Sequence, residues 1–106
     1  MGIKYRPYGP YTGYTISLED AKKDVGPGWR KLISALWAVL PSHARIIQIK
    51  EKFGGLRVYV DNIDENMHTV ISAIEHLSTH ICENCGDPGQ CEVINGWYST
   101  RCEKCR

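Results

Sequence analysis

Cys82-Glu-Asn-Cys85-Gly-Asp-Pro-Gly-Gln-Cys91-Glu-Val-Ile-Asn-Gly-Trp97-Tyr98-Ser-Thr-Arg-Cys102-Glu-Lys-Cys105 is the stretch on which the reading of this chain turns. Two CxxC pairs stand sixteen residues apart, the spacing of a structural zinc ribbon and not of a disulfide scaffold. Each pair lets two thiolates on one tight turn reach the same ion, and Gly86 supplies the freedom that turn needs. The residues between can form a hairpin that carries the second pair back. Five cysteines cannot all pair within one chain, and the N-terminus has no apolar export segment, so a reducing setting is expected. A thioredoxin-type CxxC would sit in a βαβ pattern, which neither pair does. The expected cofactor is therefore tetrahedral Zn2+ held by Cys82, Cys85, Cys102 and Cys105. Cys91 is the odd thiol, read as a small hydrophobe on the hairpin, with ligand exchange as the alternative. His76 and His80 have the i, i+4 spacing that can hold a metal on a helix, but both lie off its apolar stripe and read as surface residues.

Working back from the cysteines, Asp64 can begin a helix whose buried stripe is Met67, Val70, Ile71, Ile74 and Leu77, with Ser72, Glu75 and His76 facing out. Before it, Ile46 to Val60 reads as a β-hairpin with Gly54-Gly55 as the two-residue turn. Pairing Phe53 with Leu56 puts Ile47, Ile49, Phe53, Leu56, Val58 and Val60 on one face. Gln48, Lys50, Lys52, Arg57 and Tyr59 share the other, with Lys52 opposite Arg57 and Lys50 opposite Tyr59. Glu51 is a charge in the apolar set. Earlier still, Ser17 and Asp20 mark a short helix over Leu18 to Asp24, ended by Gly26-Pro27-Gly28. Trp29, Leu32, Ile33, Leu36, Trp37 and Leu40 then recur at helical spacing until Pro41. Tyr5, Tyr8, Tyr11 and Tyr14 recur every third residue among prolines and glycines, which predicts an extended arm. Its rings serve either as core cover or as a partner contact strip.

The fold class this predicts is α+β: a small helix–β-hairpin–helix core with a C-terminal zinc ribbon, a treble-Cys hairpin with a four-cysteine site. Residues 1–80 form the core with its tyrosine arm, and residues 81–106 the ribbon docked on it. Ile81 leads into the first knuckle without a flexible linker. Residues 81–106 are too few to build a core alone.

The net charge of +1 argues against a protein that grips nucleic acid by bulk charge. The sign is nonetheless divided: residues 1–60 carry ten Lys/Arg against four Asp/Glu, and residues 61–106 carry three against eight. No apolar run is long enough to cross a bilayer.

The run Lys50-Glu-Lys-Phe-Gly-Gly-Leu-Arg-Val-Tyr-Val60, followed by Cys82-Glu-Asn-Cys85-Gly-Asp-Pro-Gly and a Gly96-Trp97-Tyr98 hairpin, resembles a group of small uncharacterised bacteriophage and prophage proteins. The resemblance covers the last two thirds of the chain. It implies a phage accessory setting and action in the cytoplasm of a bacterial host cell, and carries no reaction. In that group the second knuckle often ends in Cys-x-x-His; Cys105 stands there in this chain and keeps the site four-liganded.

Two kinds of partner follow from these readings. The first is a bacterial host or defence protein, bound without catalysis through the tyrosine arm, the hairpin face of Lys50, Lys52, Arg57 and Tyr59, or the ribbon loop with Trp97 and Tyr98. The alternative is nucleic acid, with Lys50, Lys52, Arg57 and Arg45 on phosphates and Tyr59 or Trp97 as a stacking plane. An enzyme is the least expected class, because four cysteines close the ion to substrate.

Overall fold

A computed structural model describes residues 16–106. Its elements run α1 (Leu18–Lys23), a 3-10 turn (Pro27–Trp29), α2 (Arg30–Val39), β1 (Arg45–Lys52), β2 (Gly55–Asp61), α3 (Glu65–Ser78), β3 (Gln90–Ile94), β4 (Trp97–Arg101) and a second 3-10 turn (Glu103–Cys105). The strands make two separate antiparallel hairpins, β1–β2 and β3–β4. The protein is thus α+β, with, among the described residues, two helices before the first hairpin, one after it, and the four ribbon cysteines at the C-terminal end.

The helix boundaries follow from local chemistry. Ser17 caps α1 by accepting the Asp20 N–H, and Asp64 caps α3 by accepting the Met67 N–H, each satisfying a donor the helix leaves open. Pro27 stands first in its turn, where a missing N–H costs nothing. The α2 stripe is core: Trp29, Ile33 and Leu36 are fully buried, and Leu32, Trp37 and Leu40 pack against them. With Ile16, Ala21, Ile46, Ile49, Leu56, Val58, Ile71 and Ile74 they form one cluster.

The first hairpin corrects the register expected from Gly54-Gly55. The turn is Phe53-Gly54, with φ of 54° and 80°, the two positive values a tight hairpin turn requires. Lys52 therefore faces Gly55, Glu51 faces Leu56, Lys50 faces Arg57 and Gln48 faces Tyr59. Lys52 is not opposite Arg57, nor Lys50 opposite Tyr59. This slides the partner strand by two residues, an even number, so the buried and exposed faces survive while every cross-strand neighbour changes. An irregularity between Ile46 and Gln48 then brings Ile46, in place of Ile47, into the core. Phe53 leaves the apolar face for the turn, where it is 62% exposed.

α3 is also rotated from its expected setting. Val70 and Leu77 are exposed, and the inward face is Ile71, Ile74, Glu75 and Ser78. The outer edge of β2 is the reason. Ser78 Oγ accepts the Leu56 N–H at 2.8 Å and Glu75 Oε2 accepts the Val58 N–H at 2.8 Å, so the helix supplies acceptors that the two-stranded sheet lacks. Glu75, expected outside, is needed there.

Candidate metal centre

The first knuckle is built by backbone hydrogen bonds around Cys82. Its N–H donates to Asp87 O at 2.7 Å, and its carbonyl accepts the Gly86 N–H at 2.9 Å. Gly86 adopts φ of 87°, the left-handed conformation expected of the residue after the pair. The second knuckle is the 3-10 turn Glu103–Cys105, closed by Cys105 N–H on Cys102 O at 3.1 Å. Between them, β3 and β4 pair from Gln90–Arg101 to Ile94–Trp97 across an Asn95-Gly96 turn with φ of 52° and 83°.

This folding gathers four thiols, Cys82, Cys85, Cys102 and Cys105, whose sulfurs all lie within 4.8 Å of one another. Sulfurs on a tetrahedral ion with bonds of about 2.3 Å stand about 3.8 Å apart, so the cluster has the dimensions of a metal cage. Cys85 and Cys102 approach to 3.5 Å, far beyond a disulfide bond, and all five cysteines are free. Cys82 and Cys102 are buried, Cys85 is exposed and Cys105 is half-buried, so the cage lies just beneath the surface.

The donors are unevenly disposed to ionise. Burial pushes the Cys82 thiol up, but the backbone N–H groups of Cys102, Cys85 and Asn84 at its sulfur bring it down to about 6. The Asp87 N–H favours a thiolate on Cys85, yet the adjoining Cys102 and Cys82 thiols and desolvation push it up to about 12. Asn84 favours a thiolate on Cys105, but Cys102 beside it and burial leave that thiol above its ordinary range. Cys82 is thus favoured as a thiolate while Cys85 and Cys105 resist ionising beside it, a conflict that a cation among the sulfurs would resolve. Four sulfurs at these separations fit one metal ion.

The cage is fastened to the α+β body at three points. Trp29 Nε1 donates to Ile81 O at 2.9 Å, and the Gly28 N–H donates to Glu83 O at 2.8 Å. Gly28 is there because nothing larger fits: a Cβ would come within 1.9 Å of Cys82 O. The third point is the tip of the first hairpin, where Gly54 O accepts Thr100 Oγ1 at 2.5 Å. Glu83 ties the knuckle to β4, its N–H on Thr100 O and its Oε2 accepting the Thr100 N–H.

Cys91 lies outside the cage. Its Sγ contacts Phe53 O at 3.6 Å, on the turn of the first hairpin. His76 and His80 stack edge to face at 5.2 Å on the surface. Lys50 and Arg57 oppose each other on the outer face of β1–β2, with Lys50 Nζ 5.5 Å from the Tyr59 ring centroid. Lys52 is displaced toward the turn, over Phe53. Trp97 and Tyr98 are exposed at the start of β4. Tyr5, Tyr8, Tyr11 and Tyr14 lie outside the described residues. Sequence reasoning missed Gly28 and Thr100 as docking residues; Gly26-Pro27-Gly28 reads simply as a helix breaker, and nothing local announces the knuckle it meets. No protein-family model, curated protein or solved structure matches the chain. Among the described residues, no helix is long and apolar enough to cross a membrane.

Proposed function

We propose that this chain is a non-catalytic zinc protein that acts by binding another protein, with the metal holding a recognition surface in shape. The carrying observation is the joint placement of the cage and the exposed aromatics: the β3–β4 hairpin at the cage presents Trp97 and Tyr98 to solvent, with Tyr98 against Phe53 from the first hairpin. Exposed aromatic clusters of this kind are what protein interfaces use as anchors. Zn2+ is the metal we assign, because four thiolates in a tetrahedral cage suit it and a full protein ligand set makes the ion structural. The resemblance to phage proteins favours the cytoplasm of a bacterial host as the setting, with a host or defence factor as the partner. Affinity capture from bacterial lysate, with and without nuclease, tests this: one protein retained at near-stoichiometric yield in both arms is expected. Its absence in both contradicts the reading.

A second reading, nucleic-acid binding, is favoured by one observation, the Lys50–Arg57 pair beside Tyr59 on the outer sheet face. If it holds, retention on DNA or RNA at low salt falls steeply in Lys50→Glu with Arg57→Glu. Unchanged retention removes it.

A further inference from the structure

The turn of the first hairpin meets the β4 strand of the second beside a groove of about 520 Å³ whose lining includes Glu51, Phe53, Glu83, Trp97, Tyr98 and Ser99. Three features of its lining bear on what it could hold. Its aromatic rings are open to solvent: Phe53 is 62%, Trp97 77% and Tyr98 54% exposed. Two of them already stand as adjoining walls, since Phe53 and Tyr98 meet at 5.8 Å with their planes at 86°. The polar lining is acidic, and each carboxylate is fixed in place by one oxygen. Glu51 Oε2 accepts the Gly54 N–H at 2.7 Å and Glu83 Oε2 accepts the Thr100 N–H at 3.1 Å, which leaves the second oxygen of each for another donor.

Aromatic faces are negative at the centre, so rings at right angles flanked by carboxylates form a receptor for an organic cation. The chain itself shows the preference: Lys52 Nζ lies 5.6 Å from the Phe53 ring centroid. The ribbon side of the groove belongs to the acidic half of the chain, residues 61–106 with three Lys/Arg against eight Asp/Glu, while Glu51 and Phe53 come from the basic half beside Lys52. A long alkyl stem ending in a cation satisfies both parts of the lining, the stem along the rings and the charge at the carboxylates.

We propose that this groove receives an arginine or lysine side chain from a basic segment of the partner protein. The proposal rests on the protein-binding reading and names the chemistry of its contact. Glu51 and Glu83 face the cationic head, Trp97 and Tyr98 hold the stem, and Phe53 closes the side toward the first hairpin. The basic outer face of β1–β2 would repel the same segment, which fixes the side of the molecule the partner approaches.

The test uses the full metal-loaded chain and three short labelled peptides of Gly and Ser carrying three Arg, three Lys or three Glu. Titration is followed by NMR at the Trp97 indole N–H and by fluorescence anisotropy. Saturable shifts of Trp97 with the Arg or Lys peptide, and none with the Glu peptide, are expected; the stronger of the two basic probes identifies the side chain. Trp97→Ala should weaken binding about tenfold. Glu51→Gln with Glu83→Gln keeps an oxygen for both backbone N–H groups, so it should retain the fold while weakening binding by a similar factor. No binding by either basic peptide, equal binding of the Glu peptide, or affinity unchanged in these variants overturns the proposal. So does a dimer in solution that Trp97→Ala dissolves, which would assign the groove to a second copy. Partner capture that survives Trp97→Ala and the double Gln variant sinks the groove while sparing the protein-binding reading. Loss of capture in both the parent and the variants sinks that reading itself.

Discussion

The β1–β2 hairpin buries Ile46, Ile49, Leu56 and Val58 in a cluster with Leu36, Ile71 and Ile74, whereas of the ten residues in β3 and β4 only Thr100 is buried. Both are tight antiparallel pairs closed by a two-residue turn with positive φ at both positions. The first is held by apolar area removed from water, at roughly 25 cal/mol per Å², and by α3 side chains along its edge. The second buries almost none of its apolar residues, with Val93, Trp97 and Tyr98 left exposed. At its base stand the four clustered cysteines, and hydrogen bonds tie the ribbon to Gly28, Trp29 and Gly54. A small chain can thus carry an exposed, shaped surface on a hairpin without its own core, provided a metal and a neighbouring face of the fold supply the constraint.

The largest expected break in this comparison is metal removal. A strong chelator under reducing conditions should withdraw stabilisation on the order of 10 kcal/mol from the ribbon. Amide exchange should then become fast over residues 90–101 while β1, β2 and α3 stay protected. Acid should reach the same state by protonating the donors. Cys82 is held below the ordinary thiol value, so its contribution is complete above that value and is lost as pH falls through about 6. Coordination holds the thiolate further, and metal release followed by a chromogenic chelator should have its midpoint below that pH.

Core truncation should act in the opposite place. Leu36→Ala leaves a cavity among fully buried neighbours and should cost about 2–5 kcal/mol in chemical denaturation, with the first hairpin and the helices unfolding together. A smaller effect should come from the seam between the two regions. Gly28→Ala puts a methyl against the carbonyl of Cys82 and should cost about 1–3 kcal/mol, read as a lower melting temperature with metal still bound.

The cage and the helices were legible because their signals are local. A CxxC is complete within four residues, and Ser17, Asp64 and Pro27 act on the turn beside them. The pairing of the first hairpin was not. Gly54-Gly55 is a standard turn signal, but Gly54 O and Gly54 N–H are engaged by Thr100 and Glu51, and Gly55 is buried against Thr79 and Ser78. Tertiary contacts therefore placed the turn one residue earlier, on a phenylalanine no turn rule would choose. The same logic hid the groove. Trp97 and Tyr98 could be picked out as an exposed loop, but Phe53, Glu51 and Glu83 join them only because the tip of the first hairpin docks on β4 and the knuckle packs beside it. Val70 and Leu77 fit the helical period of α3, yet the unpaired N–H groups of Leu56 and Val58 turned that helix toward Glu75 and Ser78.

The most direct test of the metal-anchored second hairpin is elemental analysis of freshly purified, reduced protein alongside Cys85→Ser and Cys91→Ser. One zinc per chain is expected in the parent and in Cys91→Ser, with strong loss in Cys85→Ser. A parent chain free of transition metal whose β3–β4 amides remain protected would contradict it.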